Sequence, residues 1–408
     1  MIAGWESAPI GDICDVVNGG TPKTGVPEYW GGPHRWITPA EMGKRSTPYI
    51  DQTDRTITDQ GLQNSSARPL PPYSVILSSR APIGHLVINT EPMATNQGCK
   101  GLVPRSQIDH KFLYYYLGSI VDLLNELGTG TTFKELSGGK LKEVKVPVPP
   151  IAEQRRIVAI LDEAFEGIAT AKANAEKNLQ NARELFESKL YALLGQEMTS
   201  WPRKTLREVA VDFGRGKSKH RPRNDPKLYG GPYPFIQTGD VRGAEHLITE
   251  YSQTYSEAGL AQSKLWPRGT LCITIAANIA ETGVLDFDAC FPDSVIGVVV
   301  DERETSSKYL EYMLHTVKAD LKAKGKGSAQ DNINLATFEN ERFPFPDLES
   351  QARAVHLLDD LSSEVQRLEV LCSLKLAALD ELKKSLLHQA FSGALTAKST
   401  DKQVAEVA

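Results

Sequence analysis

The chain has 408 residues, with 46 Lys and Arg against 51 Asp and Glu for a net charge of −5; it is not the uniformly basic body of a lone nucleic-acid binder, so any DNA contact must come from local patches. Hydrophobic residues make up 40% and charged residues 24%, as in ordinary globular proteins, and no apolar run approaches the roughly 18 residues that would span a bilayer. Cys14, Cys99, Cys272, Cys290 and Cys372 are scattered with no CxxC pair, which argues against a disulfide framework or structural zinc site and predicts buried apolar fillers.

The chain opens MIAGWESAPIGDI, without a basic patch followed by an apolar stretch, so no secretory signal is expected and the predicted location is cytoplasmic. Trp5 then recurs as Trp201, Pro147 with Pro149 as Pro344 with Pro346, Gln154 with Arg156 as Gln351 with Arg353, and Gly195 as Gly393. This register of about 197 residues is far longer than solenoid repeats, so each copy should be a domain with its own core. Within each copy, β-rich runs such as YSVILSS (73–79), GTLCITIAA (269–277) and SVIGVVV (294–300) alternate with Gly and Pro turns. A helix-like stretch follows them, 110–127 in the first copy and 307–324 in the second. The expected fold class is α+β, with two similar mixed α/β domains separated by a long antiparallel helical coiled-coil pair.

The helical pair is read from periodicity. VPVPP (146–150) and FPFPD (343–347) are stiff breaks whose prolines can precede a helix but not continue one. From 151 to 194 there is no proline, and Leu161, Phe165, Ile168, Leu179 and Phe186 keep a 3-4 spacing, with Lys172 and Lys189 in two seam slots. The second seam reads Leu358, Leu361, Val365, Leu368, Leu379, Leu382 and Leu386, interrupted at Lys375. About six heptads on a helix of about 66 Å require a partner helix rather than the chain's own small domain. The expected layout is a first domain at 1–150, a central helix at 151–197, a second domain at 198–347, a distal helix at 348–395 and a disordered tail at 396–408, giving a dumbbell with a rigid spacer.

Motifs for chemistry are missing from the sequence. GRGKS (214–218) ends like a phosphate-binding loop but has Val211 where that pattern needs glycine. Pro292-Asp293 with Asp320-Leu321-Lys322 only loosely mimics a nuclease metal site, and Asp320 falls in an expected helix. NDPK (224–227) lacks the second proline and the aromatic of an adenine methyltransferase loop. No GxGxxG follows a strand, and the eight histidines show no metal-ligand spacing. No catalytic residue, metal or cofactor is assigned to this chain.

Basic and polar loops remain. RGKSKHRPR (215–223) concentrates Arg215, Lys217, Lys219, Arg221 and Arg223 in a segment too rich in breakers to be a helix; it is either a solvated loop or a set of phosphate contacts. KAKGKGSAQDNIN (322–334) sets Lys324 and Lys326 ahead of Ser328, Gln330 and Asn332, and the amides of the last two can pair with adenine edges. The first copy offers Thr131, Thr132 and Lys134 at that place. SSRAPIG (78–84), with Ser78, Ser79 and Arg80, stands opposite IAANIAE (275–281), with Asn278. Lys23, Thr38, Asn96, Gln97 and Gln237 complete the DNA-binding candidates. Divergent loops on a shared frame suit two different half-targets.

The phrases GTTFKELSGGKLKEVKVPVPPIAEQRRIVAIL (130–161) and GSAQDNINLATFENERFPFPDLESQARAVHLL (327–358) resemble the specificity subunit of type I restriction-modification systems, and the likeness runs through essentially the whole chain. The second copy departs from the motif at Asp347 and Ser350, which bears on how that helix start is capped. The resemblance implies a subunit without catalytic power that reads a bipartite, asymmetric double-stranded DNA target. It also implies docking of two modification subunits, which would carry S-adenosylmethionine, with restriction subunits able to join. Modification subunits closing around the duplex would supply much of the phosphate neutralisation that a −5 chain lacks. The competing readings are a stand-alone nuclease or methyltransferase and a protein-only coiled-coil tether.

Overall fold

The computed structural model describes residues 5–45, 47–80, 82–130, 134–195, 201–220, 222–276, 280–325 and 335–397. The chain divides into two compact units, one of residues 1–175 with 373–408 and one of residues 176–372.

In the first unit, β1 (Cys14–Asn18), β2 (Tyr49–Ile50), β3 (Val75–Ser79), β4 (Ile83–Asn89) and β5 (Cys99–Pro104) form a sheet in the order β1-β5-β3-β4-β2. All pairs are antiparallel except β4 with β2. The central strand β3, VILSS, is buried at every residue, as a strand covered on both faces must be. A smaller sheet sets Trp30–Ile37 between Arg55–Ile57 and Met93–Thr95. Glu6–Pro9 pairs with Lys145–Val148, so the entering and leaving strands lie side by side.

Asp109 caps α1 (His110–Ser119) by accepting from the amides of Lys111 and Phe112, leaving Phe112, Leu113 and Leu117 to pack on the sheet. The sequence predicts one helix over 110–127; the chain instead breaks at Ile120 and resumes as α2 (Val121–Leu127). The first long helix, α3 (Ile151–Gly195), is 45 residues long.

The second unit repeats this plan. β6 (Ala210–Arg215), β7 (Leu247–Ile248), β8 (Leu271–Thr274), β9 (Thr282–Leu285) and β10 (Val295–Val300) run in the order β6-β10-β8-β9-β7, again with one parallel pair, β7 with β9. Tyr229–Phe235 pairs with Gln253–Tyr255, and Arg203–Lys204 with Phe343–Pro344. Helix α4 (Ser307–Gly325) buries Tyr309, Leu310 and Met313 against Leu271, Ile296 and Val298. The second long helix, α5 (Leu348–Ser392), also has 45 residues.

The repeated glutamines join each domain to its long helix. Gln154 Nε2 donates to the carbonyls of Gln107 (2.9 Å) and Pro149 (2.8 Å), and its Oε1 accepts from the Asp109 amide (2.8 Å). Gln351 Nε2 donates to the carbonyls of Glu304 and Pro346, both at 2.9 Å, while its Oε1 accepts from the Thr305 hydroxyl at 2.8 Å. Both glutamines are buried, and a buried amide must find such partners. Asp347, where the second copy departs from the motif, supplies the helix cap: its carboxylate accepts from the Ser350 amide at 2.9 Å and hydroxyl at 3.0 Å. Those bonds hold its carboxyl below the usual range.

Inside each unit the long helices run antiparallel. In the first, Ile157, Leu161 and Phe165 share a core with Leu386, Ala390 and Phe391, Lys383 lies over the Phe165 ring, and Lys172 pairs with Asp380. In the second, Phe186, Leu190 and Leu194 pack with Ala354 and Leu358, and Arg183 bonds Glu369 at 2.8 Å.

Most predicted seam positions face inward: Leu161, Ile168 and Leu358 are buried, and Phe165, Leu179, Phe186, Leu361, Val365, Leu368, Leu379 and Leu386 are half-buried. Leu382 corrects the expectation, being 47% exposed. The seam passes through Leu376 rather than Lys375, and Leu190 rather than Lys189 is buried. A helix turning every 3.6 residues drifts by about 20° per heptad against a strict 3.5 repeat, and over several heptads that drift moves the buried face by one position. Among the described residues no helix is long and apolar enough to cross a membrane.

Candidate nucleic-acid interface

In the first unit, three loops meet beside the main sheet. The Asn96 amide donates to the Ile37 carbonyl at 2.8 Å, Asn96 Nδ2 donates to the Thr21 hydroxyl at 3.0 Å, and Asn96 Oδ1 accepts from the Gly98 amide at 2.8 Å. A Cβ on Gly19 would come within 1.9 Å of the Asn96 carbonyl oxygen, so the loops can close only over glycine. Thr38 caps the short helix Pro39–Met42 by accepting from the Glu41 amide. Arg80, stacked along Gly98, pairs with Glu135 at 3.5 Å, and Lys23, Gln97 and Lys134 are exposed.

Ser78 and Ser79 are not part of this surface. Both are 0% exposed in β3. Ser78 Oγ donates to the Pro82 carbonyl and accepts from the His85 amide, while Ser79 Oγ has no hydrogen-bond partner among the described residues. Beneath the loops the structure adds a residue the sequence did not mark. Lys100 of β5 is 6% exposed, and burial pulls its pKa down while Glu135 opposes the shift.

In the second unit the basic loop is anchored. The Gln262 side-chain oxygen accepts from the amides of Lys219 (2.6 Å) and His220 (3.0 Å), and Ser263 donates to the Lys217 carbonyl. Arg215 Nε donates to the Asp293 carbonyl at 2.7 Å, and Arg223 reaches both oxygens of the Asp293 carboxylate at 2.9 and 3.0 Å. This carboxylate is therefore held by a guanidinium. Lys217 and Lys219 are left projecting from a fixed backbone. Gln237 precedes the helix Thr238–Gly243, and its side chain donates to Gln253 Oε1 at 2.7 Å.

Thr131, Thr132, Arg221, Asn278, Lys326, Ser328, Gln330 and Asn332 lie outside the described residues, as does the side chain of Lys324. Two aromatic groups went unnoticed in the sequence because their members meet only across a ladder: Trp30, Trp36 and Arg55 in the first unit, and Tyr229, Phe235 and Tyr255 beside Gln253 in the second. The second unit also holds a cleft of about 1130 Å³ bordered by Asp240, Glu245, Glu250, Glu311 and Asp359, whose charge is wrong for phosphate. There Glu311, 0% exposed, meets His246 Nδ1 at 3.0 Å. Among the described residues no group of three or more His, Cys, Asp or Glu could hold a metal ion. All five cysteines are buried, and burial pushes the Cys14 and Cys99 thiols up to about 12.

The family model described as the type I restriction modification DNA specificity domain matches twice, over residues 2–180 and 198–371. The MjaIX specificity subunit of Methanocaldococcus jannaschii is 36% identical over 186 residues, 45% of this chain and 43% of that protein. The EcoR124I/EcoR124II specificity subunit of Escherichia coli is 33% identical over 39% of this chain and 40% of its own length, so this chain spans less than half of either relative. The StySPI specificity subunit of Salmonella potsdam aligns over 97% of this chain and 90% of itself at 21% identity. A chain from a structure of a type I restriction-modification system superposes with a TM-score of 0.79, covering 96% of this chain and 98% of its own at 20% identity. The HsdS subunit from Thermoanaerobacter tengcongensis does so with a TM-score of 0.64 at 19% identity and the same coverage.

Proposed function

The chain belongs to the type I restriction-modification DNA specificity family, and from that premise we propose that it is the DNA sequence-specificity subunit of such a complex, reading a bipartite asymmetric target. The observation that carries this is the repetition of one recognition frame, with the same strand order in both sheets, bearing different side chains at matching loops: Asn96 with Thr21 in one copy, and Asp293 with Arg215 and Arg223 in the other. Residues 1–150 and 198–347 are the two target-recognition domains in this reading, and residues 151–197 and 348–395 the helices that set the separation of the half-sites. The disordered tail expected at 396–408 is corrected at its start, where Thr396 is buried and residues 396–397 are helical; residues 398–408 lie outside the described residues.

Thr38, Arg80, Asn96, Gln97, Lys23 and Lys134 are the DNA-facing set of the first domain, and Arg215, Lys217, Lys219, Arg223 and Gln237 that of the second. Two modification subunits dock on the helices. In support, Leu357, Val370, Leu371 and Leu374 are each more than half exposed on α5, more apolar surface than a helix facing only water would carry. Those subunits bring S-adenosylmethionine and do the chemistry; restriction subunits are able to join them, and the complex works in the cytoplasm.

Replacing residues 1–146 with the corresponding domain of another family member tests the proposal. The assembled complex should then select a target altered in one half only. A change in both halves, or in neither, rejects it.

A further inference from the structure

The two small sheets share one bulged ladder and carry different side chains at its matching positions. In the first unit, Trp30 and His34 both oppose Ile57 across a bulge, and Trp36 then opposes Arg55. In the second, Tyr229 and Tyr233 both oppose Tyr255 across a bulge, and Phe235 then opposes Gln253. Arg55 and Gln253 therefore occupy the same place, and both are exposed.

Arg55 is backed by aromatic rings, and Gln253 is held by a hydrogen bond from a neighbouring glutamine. The Arg55 guanidinium lies over the Trp30 ring at 3.7 Å and 5.2 Å from that of Trp36, while Trp30 is itself fixed edge-on to Trp36 at 5.0 Å. Stacking leaves the in-plane N–H groups open, and among the described residues the guanidinium makes no hydrogen bond. At the other site Phe235 stacks on Tyr255 at 3.9 Å, and Gln237 Nε2 donates to Gln253 Oε1 at 2.7 Å. That bond leaves Gln253 with both amide hydrogens and a second lone pair on Oε1.

We propose that Arg55 and Gln253 are base-reading residues, Arg55 taking a guanine in the half-target of the first domain and Gln253 an adenine in that of the second. Trp30 and Gln237 act as positioning residues that orient them. The chemistry follows from what each group offers. A guanidinium held flat presents two parallel donors to guanine O6 and N7, and a primary amide presents a donor and an acceptor to adenine N7 and N6 in the major groove. Pre-stacking removes much of the rotamer freedom that a long side chain would otherwise lose on binding. Exchange of one such residue for the other on an unchanged frame is how a duplicated reader comes to recognise two different half-sites. The inference rests on the specificity-subunit reading and extends it to individual bases.

The test is selection from randomised duplex DNA by the complete complex with its modification subunits, at one fixed salt concentration. Arg55→Gln should lose the preference for guanine at a single position of one half-target by roughly tenfold or more, with the other half unchanged. Gln253→Arg should move one position of the second half-target from adenine toward guanine. Arg55→Lys keeps the charge and should weaken the same base preference, since an ammonium lacks the fixed planar pair of donors. A thermal unfolding midpoint equal to wild type certifies that each variant is folded. The inference is overturned by an unaltered selection profile, or by a weakening shared equally by all sequences with a shallower salt dependence, which would make Arg55 a phosphate contact. A wild-type complex that selects no bipartite sequence would refute the specificity-subunit reading itself, a result separable from the other two because it needs no variant.

Discussion

Tyr312 donates its phenolic hydrogen to Asp359 at 2.8 Å, joining α4 to α5 in the second unit, and Lys308 reaches the other carboxylate oxygen at 2.7 Å. Tyr115 and Lys111 grip Asp162 in the first unit in the same way, at 2.5 and 2.6 Å. Burial first, then the bonded carboxylate, pushes both tyrosines above their ordinary pKa. Removing the acceptor leaves a buried hydroxyl unpaired, so Asp359→Ala should lower stability by roughly 1–3 kcal/mol, with Asp359→Asn losing less because it keeps an acceptor oxygen. Urea unfolding of the full chain checks the order; equal midpoints for the two variants would contradict it.

The anchored basic loop gives an electrostatic prediction. Replacing Lys217, Lys219 and Arg221 by alanine should weaken binding to all DNA sequences and reduce the slope of log affinity against log salt by about 0.9 for each phosphate that is no longer neutralised. Binding isotherms at several salt concentrations measure it. A defect confined to one base position would instead identify these residues as readers.

Two histidines near the acidic cleft respond to pH in opposite senses. Burial, with repulsion from Lys318 and His246, lowers His315 from 6.5 to about 4, against the pull of Glu281. The unfolded chain therefore takes up a proton more readily, and His315 costs stability as pH falls from 6.5 towards 4. His246 is raised above 6.5, first by its bond to Glu311 and against the effect of burial; the stability it contributes is complete below 6.5 and is lost as pH rises through the folded value. His315→Gln should thus flatten the decline on the acid side, and Glu311→Gln the decline above pH 6.5. Thermal unfolding midpoints from pH 4 to 8 separate the two; parallel curves for wild type and variants would disprove the assignment.

Antiparallel pairing of the long helices within each unit makes helix length a candidate ruler. Inserting seven residues into both α3 and α5 adds about 10 Å, or roughly three base pairs of duplex. Site selection with the lengthened subunit in its complex should return half-sites of unchanged sequence at a larger spacing. Unchanged spacing would refute the ruler.

The duplication and the two long helices were legible because they are written in periods: the 197-residue register in whole motifs, and the helix faces in a 3-4 spacing sustained over many turns. Register was not legible to the residue. Lys189 and Lys375 sit where an ideal heptad puts the seam, yet it is Leu190 that is buried and Leu376 that is half-buried there, since packing follows real helical turns and not the idealised count. The candidate interface was read less well. Ser78 and Ser79 are polar residues beside a basic one, and only the burial of β3 from both sides shows that they face inward. Arg55 escaped notice because its stacking partner Trp30 lies far along the chain and meets it through a bulged ladder that no local pattern announces. Gln154 and Gln351 stood out as repeats, but their roles as clamps became visible only with the carbonyls they hold.

Residues 373–408 complete the first unit, where the Phe391 ring closes on those of Phe112 and Tyr116 at 5.2 and 5.1 Å. A ribosome moving at about 5–20 residues per second needs roughly 10–40 seconds to translate the intervening segment. For that interval the nascent N-terminal half has a greasy groove with no lid, and a transcript cut short before Phe391 leaves it uncovered for good. A helix made later in translation thus seals the part that was made first.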